Sequence, residues 1–237
     1  MSLAEAKSLW ALTQNREFFM AFVLRNTSLS SPFLGFCGNL FAVESRPSSP
    51  LHWLSSPFSW YFSAITPVAQ FLWPSWQTRV KHAIALLQLA SEIYAYADES
   101  FFICDISPAS FGVDISDRVK MTGFSHVYSY YELQSLAYNQ SCNTDTDCLL
   151  VPPDCKSSCD REKHRCRLPQ PTIATICTLL KPYLLPRTPE LLAVDAAELL
   201  NRCSAMDESD ANLPLRHEKI IFDLKMLLSR QTSTYNS

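Results

Sequence analysis

The chain has 237 residues, of which 47% are hydrophobic and 18% are charged, and its formal net charge is −3. This length allows one domain, or one and a half, around a real hydrophobic core, and the mild acidity gives no reason to expect nucleic acid or an anionic membrane surface as a partner. Four glycines in the whole chain exclude a Gly-rich phosphate-binding loop, because such loops need repeated positive φ angles and close backbone approach.

The amino-terminal part of the chain predicts a helix followed by a hairpin. Apolar residues near a 3.6-residue period predict a helix over residues 3–24. The stretch "FLGFCGNLFAVE" (33–44) has two apolar arms around a Cys-Gly-Asn turn. It therefore predicts a β-hairpin.

Residues 47–78 carry no Asp, Glu, Lys or Arg. A membrane span is one interpretation, but five prolines argue against it, because lipid cannot replace the hydrogen bond that each interior proline removes. We interpret the segment as an aromatic loop that packs onto the domain and exposes Trp60, Trp73 and Trp76 as a docking patch.

The second half of the chain alternates short strands and helices. An apolar stripe predicts a long helix over residues 77–98. Strands are predicted at 101–104, 111–113 and 119–127, then a cysteine-rich region at 139–169, then helices at about 171–184, 188–203 and 213–230. This order predicts an α+β fold with a helix-rich second half.

Nine cysteines occur, and five of them fall between Cys142 and Cys166. Their spacing lacks the C-x2-C pairs of common zinc modules, so we favour disulfides, which persist in an oxidising compartment. The expected set of three bridges, with fifteen possible connectivities, is Cys142, Cys148, Cys155, Cys159, Cys166 and Cys177. Cys37 and Cys104 then form a further pair or stay as buried thiols, and Cys203 is the odd one.

Two N-glycosylation sequons, at Asn26 and Asn139, fit a secretory route. The segment "MSLAEAKSLW" is no signal peptide, since it lacks a basic region followed by an apolar one. We expect that an export signal or membrane anchor, if there is one, is encoded upstream of a truncated Met1.

Two motifs carry the functional argument. "CDISPASFGV" (104–113) follows the long helix, and "VKMTGFSHV" (119–127) follows soon after. The first resembles the kinase catalytic loop H-R-D-L-x-x-x-N at the same offsets, and the second resembles the D-F-G strand-turn. With the spaced cysteines C-x5-C-x6-C-x3-C-x6-C, the chain resembles the divergent protein kinase domain 1 family over about residues 8–230.

This family comprises cysteine-rich, kinase-like proteins of the endoplasmic reticulum, usually type II membrane-anchored. The resemblance implies a protein-kinase-like fold, mostly the helical C-lobe with a partial N-lobe. It implies a partial N-lobe at 1–46, the aromatic loop at 47–76, and a kinase-like C-lobe at 77–237 with the disulfide-rich insertion 139–169. The implied location is the membrane or lumen of the endoplasmic reticulum, with secretion as the alternative.

The resemblance also assigns roles to single residues. Asp105 lies where the family's catalytic-loop acid orients the substrate hydroxyl. Ser110 replaces an Asn that would bind a second Mg²⁺, and Gly123 replaces the Asp that would bridge Mg²⁺ to the β- and γ-phosphates. Ser125 replaces a second acid. The alternatives are purely structural roles: Asp105 caps its loop as an Asx turn, and Gly123 allows a positive φ.

Glu5 or Glu17 could stand for the partner of the ATP-binding lysine. That lysine and the Gly-rich strands should precede the first helix, where we expect the chain to be truncated. Because phosphoryl transfer consists mostly of positioning and charge neutralisation, a site without both metal ligands is expected to be catalytically silent.

We therefore expect a pseudokinase that acts as a binding or scaffolding protein in the secretory pathway, with no cofactor and an unknown protein partner. The alternatives are an active divergent protein kinase that uses ATP and Mg²⁺, and a secreted cysteine-rich interaction module unrelated to kinases.

Overall fold

The computed structural model describes residues 2–27, 30–44, 49–50, 74–94, 96, 99–114, 116, 118–148, 155, 157–207 and 213–234. These residues form two compact units, one of Met1–His52 with Ser107–Val127 and one of Trp53–Ile106 with Tyr128–Ser237. Most of the aromatic loop lies outside the described residues, and so does Ser28 of the first sequon.

The first unit begins with two helices, α1 (Leu3–Thr13) and α2 (Arg16–Val23). The predicted single helix over 3–24 is wrong in this respect, because the Asn15 side chain accepts the Phe18 N–H and starts a new helix. Glu5 belongs to a capping box with Ser2. Its carboxylate therefore stabilises the start of α1.

Two small antiparallel sheets complete this unit. The first is the predicted hairpin of β1 (Phe33–Cys37) and β2 (Leu40–Val43), whose turn contains Gly38 at φ 58°. The second joins β3 (Ser49–Pro50), β5 (Phe111–Val113) and β6 (Val119–Met121) in the order β3-β5-β6.

The second unit is built around the helix α3 (Trp76–Tyr94). One side of α3 is buried, and it packs against α5 (Thr172–Leu184) and α7 (Leu213–Thr234), while α6 (Glu190–Ser204) packs against both α5 and α7. His82 of α3 is also buried, with Nδ1 2.7 Å from the Tyr183 hydroxyl.

Arg79 is the largest buried polar side chain of α3 and is 2% exposed. Its guanidinium donates to the carbonyls of Tyr183, Leu184, Pro186 and Arg187 at 2.6–3.3 Å. These carbonyls lie at and just beyond the carboxyl end of α5, where no intrahelical donors remain. Arg79 therefore caps α5 from a neighbouring helix.

The rest of the unit is the cysteine-rich region. The strand β4 (Phe101–Ile103) pairs with β7 (Val127–Ser129), of which Tyr128 and Ser129 belong to this unit. The helix α4 (Tyr130–Asn139) follows, and β8 (Cys159–Asp160) and β9 (Arg165–Cys166) form a short antiparallel hairpin. Within the described residues, no helix is both long and apolar enough to cross a membrane.

Candidate functional site

The chain forms four disulfides: Cys104–Cys155, Cys142–Cys159, Cys148–Cys166 and Cys177–Cys203. All six cysteines that we expected in disulfides are therefore bonded, but the expectation that they pair only with one another, in three bridges, is wrong. Cys155 and Cys177 pair with cysteines outside that set, and the unpaired one is the exposed Cys37 rather than Cys203.

The bridges replace a conventional apolar core in this region. Cys142, Cys148, Cys155, Cys159 and Cys166 are all less than 9% exposed and cluster with Phe102, Tyr128 and Leu133. Among the described residues, the one group with metal-ligand spacing is Cys142, Cys148 and Cys166. Since all three sulfurs are in disulfides, they offer no thiolates to a metal ion.

Two acids of this region accept hydrogen bonds from its backbone. Asp145 Oδ1 accepts the Cys159 N–H at 2.8 Å, and Asp147 Oδ2 accepts the N–H groups of Asn143 and Thr144 at 2.9 Å. These backbone donors lower the pKa of Asp147 below its ordinary value.

Asp105 belongs to the second unit and is exposed, directly after the disulfide-bonded Cys104. The backbone before it is fixed by the Ile103 N–H, which donates to the Thr172 hydroxyl at 3.1 Å. The motif's acid thus follows a strand that is tied covalently to the cysteine-rich region. Its assignment as an Asx-turn cap stays a prediction.

Ser110 belongs to the first unit, at the end of a 3-10 turn (Pro108–Ser110). Its hydroxyl accepts the Ser107 N–H at 3.1 Å and lies 3.2 Å from the Ser107 hydroxyl. The Thr122 N–H donates to the Ser110 carbonyl at 3.0 Å. Ser110 therefore closes a local turn and fastens it to the segment after β6.

Gly123 lies in the same unit, between β6 and β7, and it faces α2. A Cβ built on Gly123 would lie 3.3 and 3.4 Å from the two carboxylate oxygens of Glu17. Glu17 Oε2 also accepts the N–H of the next residue, Phe124, at 2.7 Å. The space that a side chain at residue 123 would enter is therefore held by an acid from another element.

One interpretation of this turn needs correction. Gly123 is not among the residues with positive φ, so backbone conformation does not require a glycine there. His126 is half-buried in the turn before β7. Ser125 is exposed in the same turn.

The residues at 110 and 123 do not fit a pair of Mg²⁺ ions. Mg²⁺ takes oxygen ligands in near-octahedral geometry, and a protein usually supplies one or two carboxylates among them. Ser110 offers only a hydroxyl that is already hydrogen-bonded, and Gly123 has no side chain.

A family model described as the protein-kinase domain of FAM69 matches residues 9–206. The chain belongs to this family. The match confirms the resemblance to a divergent, cysteine-rich kinase-domain family and the α+β, kinase-like fold.

Both glycosylation candidates are exposed. Asn26 lies in the turn after α2, and Asn139 is the last residue of α4. Sequence reasoning missed Glu17 as the neighbour of Gly123, and it missed a basic cleft in the cysteine-rich region. No local pattern marks Glu17, but the run "REKHRCR" (161–167) could have pointed to the cleft.

Proposed function

We propose that this kinase-like domain is a pseudokinase, which does not transfer phosphate and acts as a binding or scaffolding protein in the secretory pathway. The observation that carries the proposal is that the residues at 110 and 123 bring no carboxylate or amide to a metal ion: Ser110 offers a hydroxyl that is already hydrogen-bonded, and Gly123 has no side chain. The turn at Gly123 is instead fastened to α2 by Glu17, which accepts the Phe124 N–H.

The charge of ATP is the second reason to propose a silent site. The leaving phosphates of ATP carry several negative oxygens, and a kinase offsets this charge with metal ions held by the catalytic-loop Asn and the D-F-G Asp. This chain has Ser110 and Gly123 at those positions. Loss of a single electrostatic element of an active site typically lowers the rate by about 10²–10³, so the loss of both favours a silent site.

The disulfides support the secretory part of the proposal. Four disulfides suggest an oxidising environment, because cytosolic thiols are kept reduced. We place the protein in the lumen or at the membrane of the endoplasmic reticulum, with Asn26 and Asn139 as glycan acceptors. The partner surface is proposed to include the aromatic loop 51–76 together with the carboxyl-terminal helices.

A second candidate function is an active divergent protein kinase. The contact between Glu17 and the Cβ position of residue 123 favours it, because an acid from α2 lies close to where the family's Asp would be. In that case Glu17 would contribute to metal binding in place of the missing Asp.

The experiment that separates the two is a thermal-shift titration of the full-length protein with ATP, in the presence of Mg²⁺ or Mn²⁺ and with EDTA as the metal-free arm. A ligand at 100 times its Kd stabilises a protein by about 2.7 kcal/mol. The pseudokinase proposal predicts no metal-dependent rise in Tm. A rise that needs the metal and is lost in Glu17→Gln would contradict the silent-site argument and favour the active-kinase candidate.

A further inference from the structure

A cleft of about 560 Å³ lies between α4 and the β8–β9 hairpin, entirely within the second unit. Four residues of α4 form one wall, at spacings that place them on one helix face: Tyr130, Gln134, Ala137 and Tyr138. The hairpin forms the other wall and contributes three cations, Lys163, Arg165 and Arg167.

The charge of this hairpin differs from that of the chain as a whole. The run "REKHRCR" (161–167) has four Arg or Lys residues and one Glu, whereas the chain has a net charge of −3. The cleft lining has three of these cations and two acids, Asp160 and Asp207, so cations are in excess, and an excess of one sign concentrates ions of the opposite sign. The hairpin therefore favours an anionic ligand.

The three cations are only weakly engaged by the protein's own acids. The Arg165 guanidinium lies 4.2 Å from the centroid of the Tyr138 ring, and it forms no ion pair with an acid in the part of the chain that the structure describes. Arg167 has two long contacts, 3.8 Å to Asp160 and 3.9 Å to Asp207. The Lys163 contact to Asp160 is also 3.9 Å. Exposed pairs of this kind contribute about 0–1 kcal/mol, so an incoming anion can displace them.

The hairpin is held in place before any ligand arrives. The disulfides Cys142–Cys159 and Cys148–Cys166 fix one residue of each strand. Asp160 Oδ1 accepts the N–H groups of Glu162 and Lys163 in the turn. A rigid frame lowers the entropic cost of ordering the binding groups, so the backbone positions of the cations are preorganised.

The lining also limits the kind of anion. Asp160 and Asp207 lie in the wall, so the cleft suits a ligand with a few spaced negative charges better than a polymer that carries a sulfate on every unit. Tyr130, Tyr138 and Leu168 add aromatic and aliphatic surface next to the cations. This mixture suits a short segment in which carboxylates flank an aromatic or aliphatic side chain.

We propose that the cleft between α4 and the β8–β9 hairpin binds an acidic segment of a partner protein. Arg165 and Arg167 receive its carboxylates, for which the planar guanidinium is well shaped, and Tyr138 contacts its apolar side chain. The proposal does not depend on whether the kinase-like site is silent.

The test is a fluorescence-anisotropy titration with a fluorescein-labelled peptide of glutamates around a central tyrosine. The same peptide with glutamines in place of the glutamates is the neutral control. Arg165→Gln and Arg167→Gln should each weaken binding about tenfold, which corresponds to about 1.4 kcal/mol. Arg161→Gln is the matched control, because it removes the same charge from the same hairpin but lies outside the cleft lining.

A variant that binds more tightly shows that the losses of affinity do not arise from misfolding. Asp207→Asn removes an acid from the wall and should tighten binding of the glutamate peptide by about two- to threefold, since exposed charge pairs are worth a few tenths of a kcal/mol to about 1 kcal/mol. The proposal is overturned if the glutamate peptide binds no better than the glutamine peptide, or if Arg161→Gln weakens binding as much as Arg165→Gln. Tighter binding of a sulfated oligosaccharide, with the same dependence on Arg165 and Arg167, would also overturn it.

Discussion

The carboxylate of Glu17 lies 3.3–3.4 Å from the position that a Cβ on residue 123 would occupy, and it accepts the Phe124 N–H at 2.7 Å. Contacts of 3.3 Å to a Cβ are tighter than ordinary van der Waals contact. The glycine and the glutamate are therefore mutually adapted: the small residue leaves room for the carboxylate, and the carboxylate holds the turn.

The first prediction concerns an aspartate introduced at residue 123. Gly123→Asp should lower the free energy of unfolding by about 1–2 kcal/mol, because it adds a crowded Cβ and a like charge beside Glu17. Adding Glu17→Gln should recover at least about 0.5 kcal/mol, since contacting residues are energetically coupled. Urea unfolding of the single and double variants measures this coupling.

Gly123→Ala is the steric control for that cycle, because it adds the Cβ without the charge. If Gly123→Asp proved as stable as the wild type, or if Glu17→Gln had no effect on it, Glu17 would not hold the space beside residue 123.

The second prediction concerns the buried Arg79. Arg79→Met should lower the free energy of unfolding by about 3 kcal/mol or more, because the carbonyls of Tyr183 and Pro186 lose the guanidinium donor at and beyond the end of α5, and the Leu184 carbonyl keeps only the Thr188 hydroxyl. Lys81→Met removes the same charge from the exposed face of the same helix and should change stability by less than about 0.5 kcal/mol. Equal effects of the two variants in urea unfolding would contradict the capping role.

The third prediction concerns His217, which is 3% exposed in α7 and lies with its ring centroid 4.7 Å from that of Tyr94. Burial lowers the pKa of His217 from 6.5 to about 4. The unfolded chain therefore binds a proton between these values that the folded chain does not. Its contribution to stability is fully present above pH 6.5 and is lost as the pH falls toward about 4.

His217→Phe should remove this part of the pH dependence. Between pH 6.5 and 4, the wild type should lose up to about 3 kcal/mol more stability than the variant. The exposed His164, which has φ 50°, gives the control His164→Asn, whose profile should follow that of the wild type. Parallel wild-type and His217→Phe profiles would show that His217 is not kept neutral by burial.

The fourth prediction concerns the disulfides. Mass spectrometry of unreduced peptides should find the four linked pairs, with Cys37 alone alkylated in the native protein. The double variant Cys148→Ala and Cys166→Ala should lower the free energy of unfolding by about 3 kcal/mol, as expected for a loop of 18 residues. Cys37→Ser should leave stability unchanged. A linked peptide containing Cys37 would refute the pairing.

The local elements were predictable from the sequence because they depend on local patterns. The hairpin around Gly38 and the helix that became α3 follow from apolar periodicity and turn chemistry. The break between α1 and α2 was missed, since Asn15 is a capping residue within an otherwise continuous apolar pattern. The apolar periodicity predicted one continuous helix, and the capping signal of a single Asn was too weak to change that prediction.

The long-range relationships were not predictable. Spacing indicated disulfides but could not select partners, because Cys104 and Cys155 meet only when β4 and the cysteine-rich region are folded together. Glu17 and Phe124 are separated by 107 residues, and Arg79 and Tyr183 by 104. A single sequence contains no record of such contacts.

The Cys104–Cys155 bridge encloses the segment that contains Asp105, Ser110 and Gly123, and its two ends have a sequence separation of 51. A protease that cuts the backbone once inside this loop would not separate the two products, since a sulfur–sulfur link still joins them. On a gel run without reductant, such a nicked molecule would migrate as a single species, and only a thiol would release the fragments. The two kinase-like motifs therefore remain covalently linked after a single cut of the backbone between them.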